Sequence, residues 1–181
     1  MIVFSAERLE SLLREAKKIA ILAVGNPLRG DDAVGVFVGK AIKDRVPADV
    51  YICEMMPENY LFRIASGNYT HAIIVDAADA KTKPGSIFFI EHDEIGDMTI
   101  STHAFPLSFT VDFLEGNGIK TIVIGVQPKN TSISEELSED VENAAKKLSE
   151  VLIYVINKVF SKDQTSSRIS GSGAHHQKTK K

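Results

Sequence analysis

Three short segments of the sequence carry acidic or histidine side chains of the kinds that bind metal ions and activate water. In chain order they are Asp32 in the turn Gly25-Asn26-Pro27-Leu28-Arg29-Gly30-Asp31-Asp32, Asp76 after the run Ala72-Ile73-Ile74-Val75, and His103 in Ser101-Thr102-His103-Ala104. Two carboxylate oxygens and one imidazole nitrogen form a ligand set that suits zinc, nickel or another borderline divalent ion. These residue types therefore predict a metal site with positions left open for water or substrate.

The glycine-rich turn has the G-x-x-x-x-G spacing of a phosphate-binding loop. In such loops a lysine follows the second glycine, whereas here that position is Asp31. Two adjacent carboxylates at a helix N-terminus satisfy the positive end of the helix dipole and repel an anion. The turn therefore indicates a cation site or, as the alternative, simple helix capping by Asp31 and Asp32.

The apolar runs of the sequence predict the framework that positions these residues. Five short runs rich in β-branched or aromatic residues lack polar alternation, which is typical of parallel strands covered on both faces, and they span 19–24, 50–54, 71–77, 86–91 and 121–126. Apolar residues at helical spacing occur at about 5–17, 32–45, 57–66, 104–115 and 134–160. This alternation predicts an α/β fold, a three-layer sandwich with a mostly parallel five-stranded sheet and helices on both faces. Because ligands bind at the carboxyl edge of such sheets, Asp32, Asp76 and His103 are expected to meet there.

A change in composition after Phe160 predicts the end of the folded domain. Residues 1–160 are expected to form one domain that begins with the helix at about 5–17. From Ser161 onward the sequence is rich in Ser, Gly, Lys and His, and we interpret 161–181 as a disordered tail or a remnant of expression.

Charge and hydropathy exclude several classes of partner. The chain of 181 residues has a net charge of −3; residues 161–181 contribute five basic residues and one acidic residue, which leaves −7 for residues 1–160. An acidic body repels a phosphate backbone, so nucleic acid is not an expected partner. The sequence shows neither a secretion signal nor an apolar run long enough to span a membrane, which predicts a cytoplasmic protein with no direct membrane insertion. No pattern indicates a stable oligomer, and a monomer is expected.

Five motifs in a fixed order carry a resemblance to a known family. They are Gly25-Asn26-x-x-x-Gly30-Asp31-Asp32-x-x-Gly35, Ile74-Val75-Asp76-Ala77, Pro84-Gly85, Thr102-His103-x-x-Pro106-Leu107 and Gly125-Val126-Gln127-Pro128. Over about residues 19–160 the sequence resembles the maturation endopeptidases of nickel-iron (NiFe) hydrogenases. The Gly-Asp-Asp form, Pro57-Glu58-Asn59 and the Thr-His-x-x-Pro-Leu run are most similar to the hydrogenase 3 type.

The resemblance implies a protease that removes a C-terminal peptide from the nickel-loaded precursor of a hydrogenase large subunit and so completes its maturation. It implies an α/β sandwich around a mostly parallel five-stranded sheet, as the apolar pattern also predicts. The metal-binding positions of the family correspond here to Asp32, Asp76 and His103. Resemblance and residue chemistry therefore select the same three residues.

The implied chemistry is aspartic-type or metal-assisted peptide hydrolysis. Nickel is expected to arrive with the active site of the substrate, and zinc or cadmium can substitute for it in vitro. Asp32 and Asp76 are the predicted catalytic residues, with Asp31 as a further candidate for assisting water attack. Substrate contacts are expected from Asn26 and from the run Pro57-Glu58-Asn59.

The sequence departs from the family pattern after the second strand. Relatives commonly have an Asp-Gly-Gly run there, whereas this chain has Glu54-Met55-Met56 ahead of Pro57. That loop is expected to contact substrate, so its changed composition bears on substrate choice.

Three other functions remain open at the level of sequence. Ala23-Val24-Gly25-Asn26-Pro27 is also similar to the start of peptidyl-tRNA hydrolases, but Gly30-Asp31-Asp32 stands where those enzymes have a His-Asn pair. A second alternative is a non-catalytic nickel-dependent chaperone or binding module for the large subunit. The third is an inactive domain whose aspartates only cap helices.

Overall fold

A central β-sheet organises the protein, as seen in a computed structural model that describes residues 2–95, 99–100 and 106–170, with the backbone alone for 99–100 and 162–170. Within these residues the strands are β1 (Ile2–Val3), β2 (Ile19–Val24), β3 (Asp49–Glu54), β4 (His71–Asp79), β5 (Ile87–Ile90), β6 (Thr99–Ile100) and β7 (Lys120–Val126). The helices are α1 (Ala6–Leu12), α2 (Val34–Ile42), α3 (Leu61–Ala65), α4 (Leu107–Gly116) and α5 (Glu139–Ser170). Short 3-10 turns occupy Gly30–Ala33, Pro57–Tyr60 and His92–Glu94.

The strand order is β1-β5-β7-β4-β2-β3, and β6 pairs with the end of β4. The four strands β3, β2, β4 and β7 are parallel, whereas β1 and β5 add an antiparallel edge and β6 an antiparallel pair. The five predicted strands and the mostly parallel α/β fold are confirmed. The two additional strands are only two residues long, too short for periodicity to signal them.

The side chains of the sheet divide into two hydrophobic cores, one on each face. On one face, strand residues such as Ile21 and Ile73 pack with α1, α2 and α5. On the other face, neighbours such as Leu22 and Ile74 pack with α3 and α4. Because successive strand residues point to opposite faces, every residue of β2 is buried. This explains why the strand reads as a continuous apolar run.

The helix boundaries differ from the sequence prediction, most of all in the first and last helices. The predicted helix at 5–17 ends at Leu12, although Leu13 and Ala16 remain buried and so extend the apolar pattern past the helix end. The last helix begins at Glu139 and continues to Ser170, ten residues into the predicted tail. The first glycine after residue 160 is Gly171, so no glycine or proline stops the helix earlier. Residues 171–181 lie outside the described residues.

Among the residues that the structure describes, no helix combines the length and the apolar composition needed to cross a bilayer.

Candidate functional site

The candidate site lies where the parallel strands β2 and β4 end side by side. Ala23 pairs with Val75, so Gly25 and Asp76 follow at the same edge of the sheet. Gly35, in the first turn of α2, packs directly on this edge: a Cβ atom placed on it would lie 2.1 Å from the carbonyl oxygens of both Val24 and Val75. The absence of a side chain at Gly35 therefore lets the start of α2 approach both strand ends.

This close packing places the two predicted carboxylates at one location. The 3-10 turn Gly30–Ala33, which carries Asp32, contacts β4, which carries Asp76. Asp76 is 0% exposed and its Oδ1 accepts the Ala77 N–H at 2.8 Å, while Asp32 is 3% exposed and its Oδ2 accepts the Asn26 N–H at 3.3 Å. Carboxylate oxygens are ligands that divalent cations take in proteins. The arrangement therefore suits a cation at this edge.

The third predicted ligand, His103, lies outside the described residues. Within the described residues, no group of three or more His, Cys, Asp or Glu side chains is arranged to hold a metal ion. Within the described residues, the site thus consists of a pair of buried carboxylates. These match the two oxygen donors of the predicted ligand set.

Asp31 occupies a different environment from Asp32. Its side chain is 0% exposed and accepts four hydrogen bonds: from the N–H groups of Lys129 and Asn130, both at 2.8 Å, and from the N–H and hydroxyl of Ser138, at 2.6 and 2.9 Å. Both oxygens are therefore engaged in holding residues 129–138 against the glycine-rich turn. Its proposed part in water attack stays a prediction.

We expect the substitution Asp31→Asn to lower the free energy of unfolding by about 2–4 kcal/mol, because an amide NH2 would face N–H donors that now meet a carboxylate oxygen. Urea unfolding followed by circular dichroism measures the difference. The exposed Asp93 offers a matched control, and Asp93→Asn should change stability by no more than about 0.5 kcal/mol. An Asp31→Asn variant that unfolds at the wild-type urea concentration would contradict the hydrogen-bond arrangement.

The predicted substrate-contacting residues follow β2 and β3 at the same edge. The Asn26 side-chain oxygen accepts the Leu28 N–H at 3.0 Å and closes the glycine-rich turn. Pro57 is buried at the start of a 3-10 turn, while Asn59 is exposed and its amide contacts the Met56 sulfur at 3.4 Å. The Oε2 oxygen of Glu58 is buried, and no group among the described residues donates a hydrogen bond to it.

The loop that departs from the family pattern has an unusual backbone. Glu54 has a φ of +50°, in the left-handed region that favours glycine. Beside it, burial raises the pKa of the Cys53 thiol to about 12, with a smaller contribution from the charge of Glu58. Cys53 is therefore an unreactive core residue at neutral pH, and it is not a candidate nucleophile.

Gln127, which belongs to the motif Gly125-Val126-Gln127-Pro128, is a positioning residue whose role the sequence did not predict. It is buried at the end of β7, and its Oε1 accepts the N–H groups of Ala80 and Thr82 at 2.9 and 3.1 Å. Its Nε2 donates to Asp79 at 3.0 Å. Lys81 and then Gln127 lower the pKa of Asp79 to about 2. Gln127 thus fixes the loop after β4, and the sequence signals for it were the motif and a polar residue that ends an apolar run.

Comparison with known proteins gives consistent matches. A family model described as hydrogenase maturation protease matches residues 38–155. A Methanocaldococcus jannaschii protein assigned as a hydrogenase maturation protease is 31% identical over 164 residues, which cover 84% of this chain and 96% of that protein. The hydrogenase 3 maturation protease of Escherichia coli K12 is 28% identical over 127 residues, 68% of this chain and 81% of that protein.

Solved structures agree with these sequence matches. A crystal structure of a NiFe hydrogenase maturation protease from Thermococcus kodakarensis superimposes with a TM-score of 0.75 at 30% identity, covering 82% of this chain and 98% of that one. The crystal structure of a hydrogenase 3 maturation protease superimposes with a TM-score of 0.67 at 26% identity, covering 74% of this chain and 87% of that one. The α/β sandwich described above is therefore the fold of these proteins.

Proposed function

Since the chain belongs to the hydrogenase maturation protease family and is therefore a processing peptidase, we propose that it removes a C-terminal peptide from the nickel-loaded precursor of a NiFe hydrogenase large subunit. The observation that carries the proposal is the pair of buried carboxylates, Asp32 and Asp76, at the carboxyl edge of the sheet. Such a pair supplies both anionic ligands for a cation and a proton acceptor for water.

Nickel enters this scheme as part of the substrate. The nickel that the precursor already holds is proposed to bind to Asp32, Asp76 and His103. Only a nickel-loaded precursor would then be positioned for cleavage. A site with two carboxylates and one imidazole holds a free ion loosely, and zinc or cadmium is expected to substitute in vitro. Nickel would thereby act as the recognition signal for processing.

The proposed hydrolysis uses this chain's own carboxylates. One oxygen of Asp76 or Asp32 takes a proton from the attacking water as the scissile peptide bond is cleaved, and the proton then passes to the leaving amine. Burial of both side chains keeps bulk water away from these oxygens. The peptidase is thus proposed to be of the aspartic or metal-assisted type.

Substrate contacts are proposed for Asn26 and for Pro57-Glu58-Asn59. Support comes from their place after β2 and β3, at the edge of the sheet that carries Asp32 and Asp76, and from the exposure of Asn59. The working protein is proposed to be a cytoplasmic monomer whose partner is the large-subunit precursor, with no nucleic acid and no membrane insertion involved.

The direct test is mass spectrometry of a purified large-subunit precursor, nickel-loaded or nickel-free, after incubation with this protein. We expect a defined C-terminal peptide to be lost from the nickel-loaded precursor only. An intact precursor under both conditions, despite measured binding, would contradict the proposal and favour the non-catalytic nickel-dependent chaperone.

A further inference from the structure

An open groove of about 500 Å³ runs beside the candidate site, between α2 and the segment that leads into α5. It begins at Pro27 and Ala33, the residues that directly follow Asn26 and Asp32. Its apolar lining includes Phe37 of α2 and Leu137 on the opposite wall. One end of the groove therefore lies next to the glycine-rich turn that carries Asp32.

The opposite wall of the groove is held in place by the site itself. Asp31 accepts hydrogen bonds from the N–H and hydroxyl of Ser138, immediately after the wall residues 135–137. Within the wall, the Glu136 N–H donates to the Ser134 hydroxyl at 3.2 Å. The groove is thus preformed, which reduces the entropy that a ligand loses on binding.

The charge of the groove is predominantly negative. Glu135, Glu136 and Glu142 line it, against Lys40. Glu142 pairs with Lys146 at 2.7 Å. Among the described residues, neither Glu135 nor Glu136 has an ion-pair partner. With Glu142 paired to Lys146, the lining has Glu135 and Glu136 against the single Lys40 beside apolar walls. This net negative charge favours a ligand that is partly apolar and positively charged.

We infer that this groove, here named the glutamate groove, binds a segment of the precursor polypeptide that carries a lysine or arginine among apolar residues. The inference rests on the proposed function, and it adds a binding surface beyond the carboxylate pair. Phosphate-bearing ligands are repelled by the glutamates. A second copy of the chain would need roughly 800 Å² of surface per partner, more than such a cleft provides.

The test reverses the charges of Glu135 and Glu136, the two glutamates without an ion-pair partner among the described residues. The double substitution Glu135→Lys with Glu136→Lys is compared with the matched control Glu115→Lys with Glu150→Lys, which reverses exposed glutamates elsewhere. Biolayer interferometry measures the Kd for immobilised nickel-loaded precursor at two salt concentrations. We expect the groove variant to bind at least about tenfold more weakly at low salt, with a smaller loss at high salt because screening weakens charge interactions. The control should match the wild type.

Equal Kd values for the groove variant and the wild type would overturn the inference. The binding assay and the cleavage assay separate the two proposals. If the wild type cleaves the precursor and the groove variant binds it with an unchanged Kd, the groove inference is wrong and the proposed peptidase function stands. If the groove variant binds more weakly but the wild type does not cleave, the groove inference stands and the proposed peptidase function is wrong. Replacing each Lys or Arg of the precursor near the cleaved bond by Glu then identifies the basic residue, because the correct replacement restores affinity only to the groove variant.

Discussion

Replacing Gly35 by alanine is expected to destabilise the protein by about 3 kcal/mol or more. The added Cβ would lie 2.1 Å from two carbonyl oxygens, those of Val24 and Val75. Both belong to central strands of the sheet, so neither can move without breaking strand pairing. The start of α2 must then lift away from the sheet, and Asp32 moves with it. We therefore expect cleavage of the precursor to be lost even at temperatures where the variant remains folded.

Gly116 provides the control for this prediction. It ends α4 on the protein surface, and a Cβ atom placed on it would meet no atom within 4 Å. Gly116→Ala should leave cleavage unchanged and raise stability by up to about 1 kcal/mol, because alanine loses less backbone entropy on folding than glycine. Chemical denaturation of both variants gives the comparison. Wild-type stability and cleavage in the Gly35 variant would show that α2 does not pack on the strand ends as described.

The main features of the fold could be predicted because the sequence signals are local. The run 19–24 is apolar throughout, as a strand buried on both faces must be, and the structure places β2 at those residues. The same reasoning put Asp32 and Asp76 at one edge, because parallel strands end on the same side. The 3-10 form of Gly30–Ala33 was not predicted, since the N–H groups of Gly30 and Asp31 bond to carbonyl oxygens about a hundred positions away, those of Ser134 and Asn130.

The roles of Asp31 and Gln127 were beyond sequence reasoning because their partners are distant in the chain. Asp31 bonds to Ser138, 107 positions away, and Gln127 bonds to Ala80, 47 positions away. Nothing near Asp31 in the sequence gives it a different predicted role from Asp32. In the structure, however, Asp31 holds residues 129–138, whereas Asp32 belongs to the turn that contacts β4. Adjacent residues of the same type can thus be assigned different roles only once tertiary contacts are known.

The family assignment removes one of the functions that the sequence left open. A peptidyl-tRNA hydrolase shared only the first turn with this chain, whereas the hydrogenase maturation protease family matches residues 38–155. The alternative in which the aspartates only cap helices does not fit Asp76. Asp76 is completely buried within β4 and precedes no helix, so capping does not account for it.

The substitution Asp76→Asn is expected to reduce cleavage of the nickel-loaded precursor at least a hundredfold, within the range of about 10²–10⁴ that general-base groups contribute. Asparagine has nearly the same shape as aspartate, but it carries no charge to bind a cation and takes no proton from water. Its side-chain oxygen can still accept the Ala77 N–H that Asp76 now accepts. The fold should therefore persist while the chemistry fails, which is the opposite of the result expected for Asp31→Asn.

Initial rates of peptide release, measured by mass spectrometry at saturating precursor, test this prediction alongside the urea midpoint of the same preparation. Asp112→Asn is the matched control, because Asp112 is an exposed aspartate of α4 that pairs with His92 on the surface. It should cleave at the wild-type rate. If Asp76→Asn also cleaved within about threefold of wild type, Asp76 would be a structural residue and the proton acceptor would have to be sought at Asp32. If Asp76→Asn lost both folding and cleavage, the buried carboxylate would instead be required for the stability of the end of β4. Only a loss of cleavage in a variant that stays folded assigns a chemical role to Asp76.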